Sequence, residues 1–413
     1  MPPTAPPRQF LRNLGTVVTG SVAAQAAALA AMPLLTRLYD PALFGAFGLV
    51  AALAGLAAMI ATGRWELAIV LPEREEDAAG VAFLALLAAF ASSLGVVVVI
   101  ALAGPWLPHP ELLWWLPAMM LVAASADVLA QWNLRRERYH MVAHAHGVRA
   151  AVTVTVQVTA GFAAPAPAGL LAGQILGYGA QAGELARRDG TAAWPRMPAS
   201  GLAGLIALAR RYREFPLYGA PQALVNALSQ YGPVVVLAAA FGEASVGFYW
   251  LALRVLSLPD SVLNQPLRQV FYRDVRDDLD HLRQRLARTT LALAAVGLPV
   301  LLAAVLAGPA LFAWAFGAEW ETAGAFARWL APWWFLGFVN VPCVAVIPLL
   351  RLQGPFLAYE VALGAARLGA LLLGAAQGDA LTAVAAYALA GALFNAALIA
   401  FIFHAARPER VRA

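Results

Sequence analysis

Apolar stretches of about 20 residues follow one another along almost the whole chain, from Gly15 to His404. A helix of that length crosses a hydrocarbon core of about 30 Å. Clusters of Pro, Gly and charged residues separate the stretches, as turns between spanning helices do. The pattern predicts an all-α integral membrane protein. The twelve predicted spans lie near residues 14–35, 43–71, 78–103, 112–133, 147–163, 167–187, 216–240, 244–272, 286–307, 322–350, 355–376 and 379–404.

Composition supports the same class. Of 413 residues, 62% are hydrophobic and 12% are charged, which excludes a soluble core covered by a polar shell. The one cysteine, Cys343, lies in an apolar segment, so no disulfide framework is predicted. The start "MPPTAPPRQFLRN" resembles the first part of a signal peptide, but the apolar run continues to Leu35 and favours a retained first helix.

The arginines predict the orientation of these spans. All 28 positive residues are Arg, and 22 of them fall in segments that are inside when the N-terminus is cytoplasmic. Among the outside loops only Arg37 is present. The bias predicts a multi-pass membrane protein with both termini in the cytoplasm. The net charge of +5 then reports topology and contact with anionic lipid, and we expect no nucleic-acid partner.

The chain also repeats itself. "LAGPWL" at 102–107 returns as "LAGPAL" at 306–311, and "YDPALFGAF" at 39–47 returns as "FGEASVGFY" at 241–249, at offsets of 204 and 202. Two matches at nearly one offset predict two parallel six-helix repeats around a central cavity. We expect an N-terminal lobe over 1–195, a cytoplasmic connection over 196–215 and a C-terminal lobe over 216–413.

One predicted span carries a polar stripe. Its members are spaced three or four residues apart and share one helix face. They are Arg254, Ser257, Ser261, Asn264 and Arg268. Stripes of Ser and Asn also occur where helices pack together, so that alternative is open for each stripe. Arginine inside a membrane costs several kcal/mol without a partner and marks substrate routes, which makes Arg254 the strongest cavity candidate.

The stretch "ATGRWELAIVLP" at 61–72 places Arg64 and Glu66 near the end of an apolar run. The predicted span over 43–71 exceeds the membrane thickness, so both residues could lie at the inner interface. On a continuous helix, side chains two residues apart point in different directions, and each would need a partner on another helix unless Gly63 breaks it. At an offset of 202, Glu66 corresponds to Arg268, which suggests a pathway between the two matching spans.

Further intramembrane charges complete the set of candidates. Arg149 and Arg367 join the substrate-cavity residues because they lie in apolar helices. Asp127 and Glu360 are predicted charge partners of nearby arginines. Neither a metal-ligand cluster nor a catalytic triad is visible, and no cofactor or enzyme activity is predicted.

Several strings resemble a known family. The polysaccharide-biosynthesis flippases, the O-antigen translocase branch of the multidrug/oligosaccharidyl-lipid/polysaccharide exporter superfamily, are similar over residues 10–404. The likeness is most specific in Arg-x-Glu-x-Ala-Ile-Val-Leu-Pro after the second predicted span and in Tyr-x-x-Phe-Pro before the seventh. The strings are "LLTRLYDPALFGAFGLVAAL", "GRWELAIVLPEREEDA", "RRYREFPLYGAPQALVNALSQYGPVVVLAAAFGEASVGFYWLALRVLSLP" and "FGAEWETAGAFARWLAPWWF".

The resemblance implies a function. Proteins of this kind are described as moving an undecaprenyl-pyrophosphate-linked oligosaccharide to the periplasmic leaflet by alternating access. It also implies that Arg64 and Glu66 belong to the family's pattern and that a cationic cavity receives the pyrophosphate-sugar. Guanidinium groups bind phosphate bidentately, which suits that cargo. The expected partners are the lipid-linked oligosaccharide and membrane lipids, with polysaccharide polymerase and assembly proteins as further candidates.

Three alternatives stay open at this point. A drug/cation antiporter of the same superfamily would favour intramembrane carboxylates over arginines. A lipid II flippase shares the fold and the Arg-lined cavity, although such flippases commonly have two helices beyond twelve. From a different class, "DVRDDLD" at 274–280 could be the Asp-rich magnesium site of a membrane prenyltransferase, but interleaved arginines fit a solvated turn better.

Overall fold

The computed structural model describes residues 29–103, 110–187, 195–260, 281–350 and 352–406, together with Leu267, Phe271 and Val275. Over these residues every regular element is a helix, which confirms the all-α prediction. In the same part of the chain, eight helices are long and apolar enough to cross a membrane. The protein is therefore a multi-pass membrane protein, whereas the count of twelve spans stays a prediction.

The α-helices are numbered in chain order. Up to residue 211 they are α1 (Met32–Leu38), α2 (Pro41–Ala61), α3 (Glu75–Ala103), α4 (Pro110–Leu113), α5 (Leu116–Arg135), α6 (Tyr139–Ala163), α7 (Pro167–Leu185) and α8 (Gly201–Arg211). The later ones are α9 (Ala220–Phe241), α10 (Glu243–Leu256), α11 (Leu282–Phe316), α12 (Glu321–Val339), α13 (Val341–Val346), α14 (Gln353–Gln377) and α15 (Ala380–Ala405). A 3₁₀-helix covers Trp65–Val70 and a π-helix covers Phe215–Gly219.

The helices group into two compact units. The first comprises Met1–Tyr39 and Ala46–Gly232, and the second comprises Asp40–Gly45 and Pro233–Ala413. The predicted lobes at 1–195 and 216–413 follow the sequence repeat, and their bounds stay a prediction. In the first unit, a core of small residues on α3 packs against Leu208 of α8. A Cβ on Gly80 would come within 2.6 Å of Leu208 Cδ1, so the close packing of α8 depends on small side chains.

Three predicted spans are not continuous α-helices, each for a local reason. The span over 43–71 ends as an α-helix at Ala61, because Gly63 and the next residue adopt positive φ. The span over 244–272 is interrupted after Leu256, since Pro259 cannot donate to the carbonyl one turn before it. The span over 322–350 divides at Asn340, just before Pro342.

The repeated segments cross each other inside the second unit. Gly45 on α2 and Gly247 on α10 occupy matching positions of the repeat, and a Cβ on Gly247 would lie 3.2 Å from the Gly45 nitrogen. A Cβ on Gly45 would overlap the carbonyl oxygen of Glu243, and one on Gly247 would overlap that of Pro41. Pro41 matches Glu243 at the same offset of 202. The contact is therefore reciprocal, because each repeated segment places the same two positions against the other segment.

Candidate functional site

The backbone leaves the helix at the charged stretch that follows α2. Gly63 and Arg64 both adopt the left-handed conformation, with φ of +60° and +62°, before the 3₁₀-helix begins at Trp65. Glycine takes this conformation freely, but for Arg64 it costs about 1–2 kcal/mol. Strained backbone of this kind persists only where surrounding contacts hold it, and such positions cluster at functional sites.

The break brings Arg64 and Glu66 together. Arg64 Nη1 lies 3.3 Å from Glu66 Oε1, and the Thr62 hydroxyl donates to Glu66 Oε2. The Glu66 side chain is 9% exposed and that of Arg64 is 25% exposed. The sequence left open that a break at Gly63 would let the two charges pair with each other, and the turn there has this effect.

Contacts from α5 and from the end of α8 hold the short helix after the break. Trp65 Nε1 donates to the carbonyl oxygen of Tyr212 at 3.2 Å. The guanidinium of Arg135 donates to the carbonyl oxygens of Ile69 and Val70, at 3.2 and 3.0 Å, and to that of Pro72. A 3₁₀-helix leaves its last carbonyls without internal donors, so Arg135 satisfies them. The sequence analysis counted Arg135 only as one of the 22 arginines in the inside segments.

Asp127 lies near this pair. The charges that act on it are those of Arg149, Glu66 and Arg64, in that order of strength. The Asp127 side chain is exposed, and the charged residues that act on it all belong to the first unit. The structure therefore brings four of the predicted residues into one neighbourhood. Because this neighbourhood contains two arginines and two carboxylates, its formal charge is zero.

Arg149 is positioned by close packing of α6 on α7. Its Cζ lies 4.8 Å from the ring centre of Tyr178, a cation–π distance. A Cβ on Gly177 would overlap the Thr153 hydroxyl and lie 3.0 Å from the Arg149 carbonyl oxygen. Gln157, one turn beyond Thr153, is buried and donates to the carbonyl oxygen of Leu170 at 3.0 Å. Thr153 and Gln157 therefore lie in the packing surface between α6 and α7. Arg149 lies one turn before Thr153 on the same helix face.

Tyr231 is a member of this neighbourhood that the sequence did not single out. Its hydroxyl lies against α2, where a Cβ on Gly55 would be 2.7 Å from it. Tyr231 also lies within electrostatic reach of Tyr178 and Asp127. The signal that could have found it is the glycine itself, since a small residue on one helix leaves room for a large side chain from another.

The polar stripe around Arg254 is only partly described. Arg254 is half-buried in the last turn of α10, and the exposed Ser257 donates to its carbonyl oxygen at 3.2 Å. The other three members, Ser261, Asn264 and Arg268, lie outside the described residues. The pathway between the two matching predicted spans, 43–71 and 244–272, therefore stays a prediction.

Arg367 lies between two aromatic rings in the second unit. Its Cζ is 4.1 Å from the ring centre of Trp333 and 4.0 Å from that of Tyr387. Among the described residues its Nε and Nη2 atoms are buried without a hydrogen-bond acceptor, and two aromatic faces lie against its charge. Glu360, two turns earlier on α14, is exposed. The predicted cavity role of Arg367 and the pairing role of Glu360 stay predictions.

Solved structures of transporters share this fold. A lipid II flippase MurJ in an inward closed conformation is 9% identical, with a TM-score of 0.72, and the match covers 93% of this chain and 86% of that one. An inward-facing multidrug resistance MATE family transporter of the MOP superfamily is 12% identical, with a TM-score of 0.60 and coverage of 96% and 95%. A MOP superfamily transporter from Pyrococcus furiosus is 11% identical, with a TM-score of 0.60 and coverage of 99% and 97%.

Comparison of the sequence with known proteins adds a family to the shared fold. Among curated protein sequences no significant match is found. The family model described as "Polysaccharide biosynthesis protein" matches residues 34–325, which is more than half of the chain. The matched residues include the Arg64–Glu66 turn and the two residues that hold the short helix after it, Arg135 and Tyr212. Together with the fold of flippases and transporters, this match supports a transport protein and not an enzyme. The chain belongs to the polysaccharide biosynthesis protein family, within the fold of the MOP superfamily.

Proposed function

We propose that the protein is an inner-membrane flippase that moves an undecaprenyl-pyrophosphate-linked oligosaccharide from the cytoplasmic to the periplasmic leaflet for surface polysaccharide assembly. Alternating access moves the cargo, and both termini are cytoplasmic. The observation that carries the proposal is the neighbourhood of Arg64, Glu66, Asp127 and Arg149, in which an exposed carboxylate lies near two guanidinium groups. O-antigen is the surface glycan that the sequence resemblance suggests.

The balanced charge of this site supports a specific mechanism. An arginine in an empty membrane cavity needs a counter-ion, and the carboxylates of Glu66 and Asp127 supply it. A pyrophosphate group carries more negative charge than either carboxylate and accepts bidentate hydrogen bonds from guanidinium groups. The cargo therefore displaces Asp127 from Arg149, and Asp127 returns to Arg149 after release. The empty carrier can then reset without an uncompensated charge.

Lipid II flippase is the second candidate, and the TM-score of 0.72 to MurJ favours it. At 9% identity that likeness speaks for the fold alone. The family match favours the polysaccharide reading. A drug/cation antiporter has the same fold but would not need the arginine pair. The "DVRDDLD" segment of the prenyltransferase alternative lies outside the described residues except for Val275.

Complementation of a strain that lacks its own polysaccharide flippase tests the proposal. We expect the wild type to restore surface glycan, and Arg149→Ala to accumulate lipid-linked sugar in the inner leaflet at equal membrane abundance. Arg210→Ala is the matched control, because Arg210 is exposed at the end of α8 and away from the site. If Arg149→Ala transports as well as the wild type, the site assignment is wrong. Rescue of a strain lacking its lipid II flippase, without rescue of surface glycan, would favour the second candidate.

Asp127→Asn tests the counter-ion mechanism separately. The amide keeps the shape but removes the negative charge that competes with pyrophosphate. We expect purified Asp127→Asn to bind an undecaprenyl pyrophosphate analogue at least as tightly as the wild type, while turnover in vesicles falls about tenfold because the reset lacks its counter-ion. Weaker binding together with unchanged turnover would contradict the mechanism.

A further inference from the structure

A half-buried histidine that has no part in the proposed function lies one turn from Arg149 in the first unit. His146 precedes Arg149 by three residues on α6, so the two side chains share a face of that helix. The Nδ1 atom of His146 lies 3.5 Å from Nε2 of Gln181 on α7. One turn before Gln181, the Tyr178 ring lies against the Arg149 guanidinium group. Two successive turns of α6 thus meet two successive turns of α7.

The contact with Gln181 defines the protonation state of the imidazole. The amide Nε2 group donates hydrogen bonds and cannot accept them, so Nδ1 of His146 is the acceptor and carries no proton. The positive charge of Arg149 acts on His146 and opposes a second positive charge one turn away. In this arrangement His146 is neutral.

Gln181 also offers a partner to the protonated imidazole. The residue is 1% exposed, and among the described residues its Oε1 atom has no hydrogen-bond donor. Rotation of the amide group exchanges its oxygen and nitrogen without breaking a hydrogen bond of that oxygen. Oε1 then accepts from the N–H that Nδ1 of a protonated His146 carries. Both protonation states of His146 therefore find a partner in the same place.

The other ionisable groups on the helices packed against α6 interact elsewhere. They are Asp127 and Arg135 on α5, Tyr178 and Glu184 on α7, and Arg37 on α1. Glu184 lies 3.1 Å from Nη2 of Arg187 and 3.8 Å from Nδ1 of His144.

On α5, Asp127 is acted on by Arg149, and Arg135 donates to backbone carbonyl oxygens of the short helix after Arg64. The α1 helix meets α6 near Gly161, at the far end from His146. Arg149 is therefore the charged group whose state controls His146.

We propose that His146 is a proton-binding residue linked to the cargo, and that it takes up a proton from solvent when a pyrophosphate group binds at Arg149; this inference rests on the proposed function. The pyrophosphate carries more negative charge than the Arg149 guanidinium carries positive charge, so the electrostatic effect on His146 changes sign. A negative charge nearby favours the imidazolium form. The Gln181 amide turns to accept from the new N–H, and the proton leaves when the cargo leaves.

Calorimetry on the purified full-length protein counts the protons. The probe is farnesyl pyrophosphate, a soluble isoprenoid pyrophosphate, titrated at neutral pH in two buffers of different ionisation enthalpy. We expect the wild type to take up about one more proton per bound probe than His146→Gln does. His144→Gln is the matched control and should behave as the wild type, because the His144 side chain is 66% exposed on the same helix. Equal proton uptake in the wild type and His146→Gln would overturn the proposal.

Chemical modification of the wild type tests the same step and decides alone should His146→Gln not fold. Diethyl pyrocarbonate reacts with neutral imidazole and not with imidazolium, so the modification rate at His146 across pH, read by mass spectrometry, reports its protonation. We expect farnesyl pyrophosphate to move the midpoint of this curve upward by about one pH unit at His146 and to leave it in place at His144. A rate that falls equally at every pH would mean that the probe only covers His146, and would overturn the proposal.

The two proposals can fail separately. Restored surface glycan and retained probe binding, with no difference in proton uptake between the wild type and His146→Gln, would sustain the flippase and remove the role of His146. Linked proton uptake in a protein that does not move the oligosaccharide would sustain the role of His146 and remove the proposed cargo.

Discussion

Gly45 and Gly247 lie against each other at matching positions of the two repeats, and neither site has room for a side chain. A methyl group on either residue would overlap a backbone carbonyl on the other helix. Backbone cannot yield as a flexible side chain does, so the helices must separate. The crossing explains why this glycine is present in both copies of the repeated segment.

We expect Gly247→Ala to lower the free energy of unfolding by about 3 kcal/mol, because overpacking against backbone forces a helix shift. Thermal unfolding in detergent measures it. Gly232→Ala is the matched control, since a Cβ there meets nothing within 4 Å. The double variant with Gly45→Ala should cost less than the sum of both single changes, because one separation of the helices accommodates both methyl groups. Additive costs would contradict a shared crossing.

The Arg64–Glu66 pair predicts coupled mutations. Removing either partner leaves a charge in a partly buried place, so each single alanine variant should be less stable than the double alanine variant. Partial exposure of Arg64 weakens the interaction by solvent screening, and we expect a coupling free energy of about 1 kcal/mol. A double-mutant cycle by thermal unfolding measures it. A coupling of zero would mean that the two side chains do not act on each other.

The turn itself can be tested at Gly63. A Cβ at its φ of +60° is strained, and it would also lie 3.3 Å from the Trp65 ring. We expect Gly63→Ala to cost about 1–2 kcal/mol of stability and to reduce transport, because it displaces the Arg64–Glu66 pair. Gly147→Ala serves as control, since that glycine is helical with nothing within 4 Å. A stabilising effect in both variants would show that the turn is not strained.

We expect the protein to be less stable when Arg367 is replaced by lysine or by a neutral side chain such as methionine. Lysine has no planar group that can lie against two aromatic faces, and methionine has no charge. We expect Arg367→Lys to lower stability by about 1–2 kcal/mol, which corresponds to two partly buried cation–π contacts. The fluorescence of Trp333 should also change in Arg367→Lys, because the guanidinium group no longer lies over its ring. If Arg367→Lys unfolds at the same temperature as the wild type, the aromatic contacts contribute nothing.

One pH effect follows from Asp379, which lies in the turn between α14 and α15. Its Oδ1 accepts from the Thr382 backbone N–H at 2.8 Å, and these hydrogen bonds lower the pKa of the carboxyl group from its usual value. A lowered pKa stabilises the cap at neutral pH, and that stabilisation is lost as the pH falls through the folded-state pKa. Hydrogen exchange in the first turn of α15 should therefore quicken, relative to the rest of that helix, as the pH falls below the usual aspartate pKa of about 3.9. Asp379→Asn keeps the cap and should lose this pH dependence.

The sequence predicted the fold class and most helix positions well, because the length of an apolar run and its bounding residues are local properties. The predicted span over 147–163 and the observed α6 end at the same residue. The prediction failed where the backbone leaves a helix inside an apolar run, as it does after Ala61 and after Leu256. Gly63 lies just after the first break and Pro259 just after the second, but hydropathy alone does not decide that a helix ends there.

The candidate site shows the same limit. The sequence singled out Arg149 as an intramembrane charge, but it did not predict that Tyr178 meets its guanidinium group or that glycines of α7 pack against Thr153 and Gln157 on the same helix. By itself the sequence determined that the protein is helical and membrane-embedded, and it indicated which charges lie within the apolar segments. Only the tertiary structure decided their partners, Glu66 for Arg64 and two aromatic rings for Arg367. The reason is physical: a hydrophobic pattern reports how each residue faces water or lipid, whereas a polar contact depends on a turn and on a second helix far away in the chain.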